Sequence, residues 1–170
     1  MSRERLYLFD TTLRDGAQTN GVDFTLHDKQ LIAGMLDDLG IDYVEGGYPG
    51  ANPTDTEFFA EKPKFEQARF TAFGMTRRPG RSASNDPGLA ALIEARADAI
   101  CFVAKSSAYQ VRVALETTNE ENIASISAAT PGSLETERPG RRVMPKAVKR
   151  ACFSVGFSAK NSVSVGLAPG

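Results

Sequence analysis

The residues in this sequence with chemistry to offer gather where apolar runs end. Leu6-Tyr-Leu-Phe9 leads straight into Asp10-Thr-Thr-Leu-Arg-Asp-Gly-Ala-Gln18. Glu45 lies inside Asp42-Tyr-Val-Glu-Gly-Gly47, just ahead of Tyr48-Pro-Gly50, and a later apolar run ends on Lys105. Glu45 alternates onto the same face as Tyr43 in a segment that should be buried. A buried carboxylate must be paired or give up its charge. Arg14 is the obvious partner if the two segments are neighbours. Two readings of that pair fit equally well: groups set at the mouth of an active site, or a structural ion pair closing the top of a sheet.

Periodicity supplies the elements that must hold these groups. Apolar runs of strand length start near residues 6, 42, 70 and 98, and the first, wholly apolar, reads as a strand buried on both faces. Between them lie helical patterns. Thr25 with Asp28 caps a helix from Leu26 to Leu39, with Leu31, Ile32, Met35, Leu36 and Leu39 as its apolar stripe. Thr54 to Glu61 is a short helix, and Asp86-Pro87 opens another that runs to Arg96. Ser107 to Leu115 reads as helical, and Thr118 with Glu121 forms a capping box for a helix ending at Ala129. The helix-to-strand junctions Leu39-Gly-Ile-Asp-Tyr-Val44 and Ala95-Arg-Ala-Asp-Ala-Ile100 resemble each other. Strict alternation at roughly 30 residues per unit argues for a parallel α/β sheet. A doubly wound sheet and half of a (β/α)8 barrel satisfy this pattern equally. In either, functional groups sit at the carboxyl ends of strands, so Arg14, Asp15, Gln18, Glu45 and Lys105 should open onto one rim.

The chain has 170 residues, whereas a complete (β/α)8 barrel takes roughly 250. A barrel reading therefore means a partial barrel of the first four or so βα units. Net charge is −1, and no apolar run approaches the roughly 20 residues of a membrane span. Nucleic-acid and membrane partners are thus not expected, and Met1-Ser-Arg-Glu-Arg5 does not read as a secretory leader. Cys101 and Cys152 have no metal-ligand spacing and read as free thiols of a reducing, cytoplasmic compartment. Residues 131–170 carry seven Lys/Arg against two Asp/Glu, net +5, which leaves −6 for residues 1–130. Pro and Gly recur at 131, 132, 139, 140 and 145. A boundary near Ala129 follows: residues 1–129 as the α/β part, and 130–170 as a non-matching, irregular or disordered tail. The basic residues of that tail lack the interleaved aromatics of a nucleic-acid surface.

The segment DTTLRDGAQ, with VEGGYPGANPTD and FTAFGMTRRPGRSASND after it, closely resembles the citramalate synthase branch of a family that also holds 2-isopropylmalate and homocitrate synthases and HMG-CoA lyase. The similarity runs from about Leu6 to Ser127. It implies a (β/α)8 barrel, and a metal-dependent Claisen-type condensation of acetyl-CoA with pyruvate in isoleucine and leucine biosynthesis. Carried over by position, it makes Asp15 a ligand of a catalytic divalent metal (Mn2+, Mg2+ or Zn2+), and Arg14 the group that stabilises an enolate or keto oxygen. Glu45 would organise Arg14 and the substrate pocket, while Gln18 and Lys105 would contact substrate. A 2-oxo acid and acetyl-CoA are the implied small-molecule partners, and a homodimer the implied assembly. Isopropylmalate or homocitrate synthesis, or the lyase direction, are the other chemistries of the same family. Arg77, Arg78 and Arg81 would attract an anionic substrate or CoA phosphates, or else form a solvated loop.

The sequence departs from the family in four places. Ser107-Ala108 stand where the family usually has Trp-Asp. The family's His-x-His metal pair is missing, since the one histidine is His27, in the first turn of a helix. Its acid-rich fifth-strand segment and later Asp-Thr-Asn-Gly-type motif are missing too, with only Gly140-Arg-Arg-Val-Met144 similar to the start of a fifth strand. The expectation is a truncated or rearranged, metal-poor chain that is inactive alone. The alternative is a non-catalytic half-barrel that works only with a partner chain.

Overall fold

A computed structural model describes residues 6–129, together with the backbone of 151–152 and 162–164. The elements follow in the order β1 (Phe9–Asp10), α1 (Leu26–Asp38), β2 (Tyr43–Gly47), α2 (Pro53–Ala60), β3 (Arg69–Met75), α3 (Pro87–Glu94), β4 (Ala99–Lys105), α4 (Ala108–Ala114) and α5 (Asn119–Ala128). Strands β1 to β4 pair in sequence order and all in parallel. Two short strands, β5 (Ala151–Cys152) and β6 (Ser162–Ser164), pair successive stretches of β4, the first parallel and the second antiparallel. The remainder of the tail expected from residue 130 onward, with the Gly140–Met144 segment, lies outside the described residues.

Alternation along the strands builds two faces. On one, Val44, Phe70, Ala72, Ile100 and Phe102 pack with Ala33 of α1, Phe58 and Phe59 of α2, and Leu89 and Leu92 of α3. On the other, Phe73, Cys101 and Val103 cluster with Phe9, Tyr48 and Met75, and among the described residues no helix contributes. Helices on a single face decide between the two architectures left open by periodicity. A doubly wound sheet is covered on both sides; this one is a half-barrel whose inner face carries the second cluster.

Two expectations need correction. The first run was read as a strand buried on both faces, yet Leu6, Tyr7 and Leu8 are exposed and only Phe9–Asp10 is regular strand. The cause is position: β1 begins the strand order, with a neighbour on one side only among the described residues. The apolar stripe assigned to α1 holds only in part: Ile32 and Leu36 pack against the core, but its other three members do not. Leu31, Met35 and Leu39 are 57%, 62% and 75% exposed, while Lys29, Ala33 and Asp37 are the buried residues of the helix. Hydropathy failed here because both buried charges find partners that water would otherwise provide.

Asp37 shows the principle. Its carboxylate accepts from the backbone N–H groups of Glu66 (2.7 Å), Gln67 (2.9 Å) and Ala68 (2.6 Å), the residues that lead into β3. Burial pushes its carboxyl up, but these three donors win and hold it below the ordinary carboxylate range. The stability this adds is present above the unfolded value near 3.8 and is lost as pH falls through the lower folded value. Asp37→Ala is expected to cost about 2 kcal/mol at pH 7, read from urea midpoints, with the gap from wild type closing under acid. A gap that stays constant with pH would mean that packing, not the carboxylate, is responsible.

The similar helix-to-strand junctions also have one cause. Asp42, just ahead of β2, accepts the Leu8 amide at 2.9 Å, and Asp98, just ahead of β4, accepts the Phe70 amide at 2.9 Å. Each aspartate thus fixes the register of its strand against the preceding one.

Candidate active site

The loop after β1 is wound around a single carbonyl. Thr11 O accepts the amides of Arg14 (3.1 Å), Asp15 (2.8 Å) and Gly16 (3.1 Å), and Asp10 caps the turn through Thr12 N at 2.9 Å. Leu13 is thereby driven into the core and Arg14 onto the inner face, where its guanidinium lies 3.4 Å from the centroid of the Phe73 ring. The side chain of Arg14 is mostly buried, and that of Asp15 largely exposed.

Glu45 projects from β2 on the same face and is 3% exposed. Burial pushes its carboxyl up to about 7, against the pull of the Arg14 charge and a hydrogen bond with Cys101. The ion pair foreseen between Arg14 and Glu45 is not the one formed. Arg14 donates to Asp15, its neighbour in sequence, and reaches Glu45 only through space. The physical reason is reach: the wound loop carries the Asp15 carboxylate to the guanidinium, while the Cys101 thiol bonds Glu45 from β4.

The other expected residues divide between two cavities. Arg14 and Gln18 line one of about 230 Å³ with Asp23, Lys29, Asp55 and Phe73. Lys105 lines another of about 250 Å³ with Met75, Arg78 and Asn122, and Tyr48 borders both. Gln18 is exposed, in a 3-10 turn (Gly16–Gln18). The Asn122 amide donates to the Lys105 carbonyl at 2.8 Å, so α5 fixes the end of β4. Arg77 is no free loop cation, for it is ion-paired with Glu121 at 2.5 Å and bonded to Arg81 O at 2.9 Å. Glu121 is therefore only half of the expected capping box. Its amide donates to Thr118, but its carboxylate serves Arg77 and the Gly80 amide.

Sequence reasoning passed over Lys29 and Asp55. Lys29, 3% exposed, places its ammonium against Asp55 Oδ1 (2.5 Å), Leu13 O (2.7 Å) and Gly46 O (2.9 Å). Asp55 Oδ2 accepts the Tyr48 amide at 2.8 Å. The i, i+4, i+8 spacing of Lys29, Ala33 and Asp37 was the available signal, masked by a more apolar stripe beside it.

A metal centre is not complete among these residues. No group of three His, Cys, Asp or Glu side chains that could hold an ion exists among the described residues. Asp15 is already paired with Arg14, and His27 is exposed on α1. Catalytic metals generally take about three protein ligands. The donor set does not fit a catalytic metal.

The fold and site together define an α/β half-barrel with a charged cluster at the carboxyl ends of β1 and β2. The HMGL-like family profile matches residues 5–132, and the chain belongs to that family. It is 48% identical over 143 residues to the (R)-citramalate synthase of Streptomyces coelicolor, covering 82% of this chain and 26% of that protein. With the (R)-citramalate synthase of Aquifex aeolicus it shares 51% identity over 122 residues, 71% of this chain and 23% of the relative. The chain thus spans about a quarter of the length of these curated relatives. Its fold is also similar to part of the HMG-CoA lyase from Brucella melitensis, with a TM-score of 0.59 at 18% identity, covering 79% of this chain and 47% of the lyase.

Proposed function

We propose that this chain supplies the arginine–carboxylate part of a citramalate-synthase-type centre, for condensing acetyl-CoA with pyruvate in branched-chain amino-acid biosynthesis, and that it is inactive alone. The observation that carries the reading is Glu45: a buried carboxyl near neutral pKa, on the same inner face as a guanidinium fixed over Phe73. A group poised near pH 7 serves well as a proton donor or acceptor. Arg14, already oriented, would stabilise charge growing on an enolate or former keto oxygen, an effect typically worth about 3 kcal/mol. Asp15 would become a metal ligand only with further ligands from another segment. Gln18 and Lys105 remain proposed substrate contacts at the two cavities. Among the described residues no helix is long and apolar enough to cross a membrane.

The isolated chain is expected to release no CoA thiol from acetyl-CoA with pyruvate or other 2-oxo acids. Fused to the remaining length of the Streptomyces coelicolor relative, it should release CoA with pyruvate. In that chimera Arg14→Lys should lower kcat about a hundredfold. Turnover by the isolated chain would overturn the claim of inactivity, and a chimera indifferent to Arg14→Lys would overturn the role of Arg14. A second reading, a half-barrel that works by pairing with another chain or itself, is favoured by the exposed Leu31, Met35 and Leu39 in and just after α1. Gel filtration separates it from a monomer.

A further inference from the structure

We propose that Lys29 is a positioning residue whose ammonium, by holding the carbonyl before Arg14 and the carbonyl after Glu45, sets how those two side chains face each other. The inference rests on Arg14 and Glu45 being the working pair. Leu13 O lies in the loop after β1, and Gly46 O lies within β2 at a residue that has no partner in the β3 register. The strand register slips between Glu45 and Gly47, so the end of β2 has no even ladder to fix it. Lys29 replaces that missing constraint with two charge-assisted hydrogen bonds in a dry site.

Asp55 holds the clamp in place. It neutralises the ammonium at 2.5 Å and ties the same carboxylate to Tyr48 N, which places Tyr48 between the two cavities. The two glycines at the slip are part of the fitting. A Cβ at Gly46 would enter the Phe70 ring, and one at Gly47 would strike the Asp55 carboxylate. Gly47 also has φ 151°, which side chains rarely adopt. The backbone at Glu45 is thus pressed into place from α1, α2 and β3 together.

The test is NMR of the full 170-residue chain, without substrate or metal. The Arg14 guanidinium lies over the Phe73 ring, so its side-chain protons are expected upfield, which reports its placement in the folded population alone. Lys29→Met is expected to lose most of that upfield shift. Asp55→Asn, which leaves the ammonium on both carbonyls, is expected to keep it. Both variants break the buried ion pair, so a merely stabilising lysine would affect Arg14 alike in the two. Retention of the shift in Lys29→Met, or equal loss in both variants, overturns the proposal. Should Lys29→Met not fold, the double variant Lys29→Met/Asp55→Asn buries no unpaired charge and is read by the same criterion. Because no turnover is measured, a failure here is distinct from failure of the reaction assigned above.

Discussion

Glu45→Gln is expected to stabilise the chain by about 3 kcal/mol at pH 8 and hardly at all at pH 4. Glu45 is buried on the inner face, and burial is the leading reason its carboxyl sits at about 7 rather than the ordinary 4.5. Asp15 and Asp10 push in the same direction, while Arg14 and Cys101 offset only part. The folded state therefore keeps a proton that the unfolded state releases. For a raised carboxyl, the favourable neutral form contributes fully below the unfolded value and is lost as pH rises through the folded one. The loss falls between about 4.5 and 7, and a gap near 2.5 units corresponds to roughly 3 kcal/mol. Glutamine has nearly the same shape and never ionises, so it escapes the loss. Urea midpoints at pH 4, 6 and 8 measure it. Parallel curves for wild type and variant would show that Glu45 is already ionised in the fold, and the proton-transfer role would fall with it.

That carboxylate was legible in the sequence because strand alternation needs only period two. Tyr43 and Glu45 had to share a face, and a charged group inside an apolar strand marks itself. The four parallel strands were legible for a similar reason, since apolar runs recur at unit spacing. The geometry around Arg14 was not. Its pairing with Asp15, its stacking on Phe73 and the Cys101–Glu45 hydrogen bond depend on how a loop winds and which strand is next in space. No local pattern encodes either. The α1 error has the same root. Hydropathy ranked Leu31, Met35 and Leu39 above Lys29 and Asp37, but backbone groups from residues 13, 46 and 66–68 reward the two charges. The tertiary hydrogen bonds outweigh the apolar pattern, and they are invisible until the neighbours are placed.

Asp55→Ala should be the most damaging single change in the described structure, at about 3–5 kcal/mol. The substitution removes the carboxylate but leaves the Lys29 ammonium in a site 3% exposed, with two carbonyl oxygens and the Phe58 ring as partners but no counter-charge among the described residues. It also orphans the Tyr48 amide. The cost of the stranded cation, rather than the worth of the pair, dominates such a measurement. Two well-packed apolar residues in the same space should therefore recover much of the loss, and Lys29→Met/Asp55→Leu is expected to be at least 2 kcal/mol more stable than Asp55→Ala. Urea unfolding of the three variants beside wild type decides it. An Asp55→Ala cost below 1 kcal/mol would mean that water reaches Lys29, and the dry clamp under Arg14 and Glu45 would not exist. A double variant no better than Asp55→Ala would instead place the loss in the Tyr48 contact and the loop it orders, which both variants lack, and not in the stranded cation, which only Asp55→Ala carries.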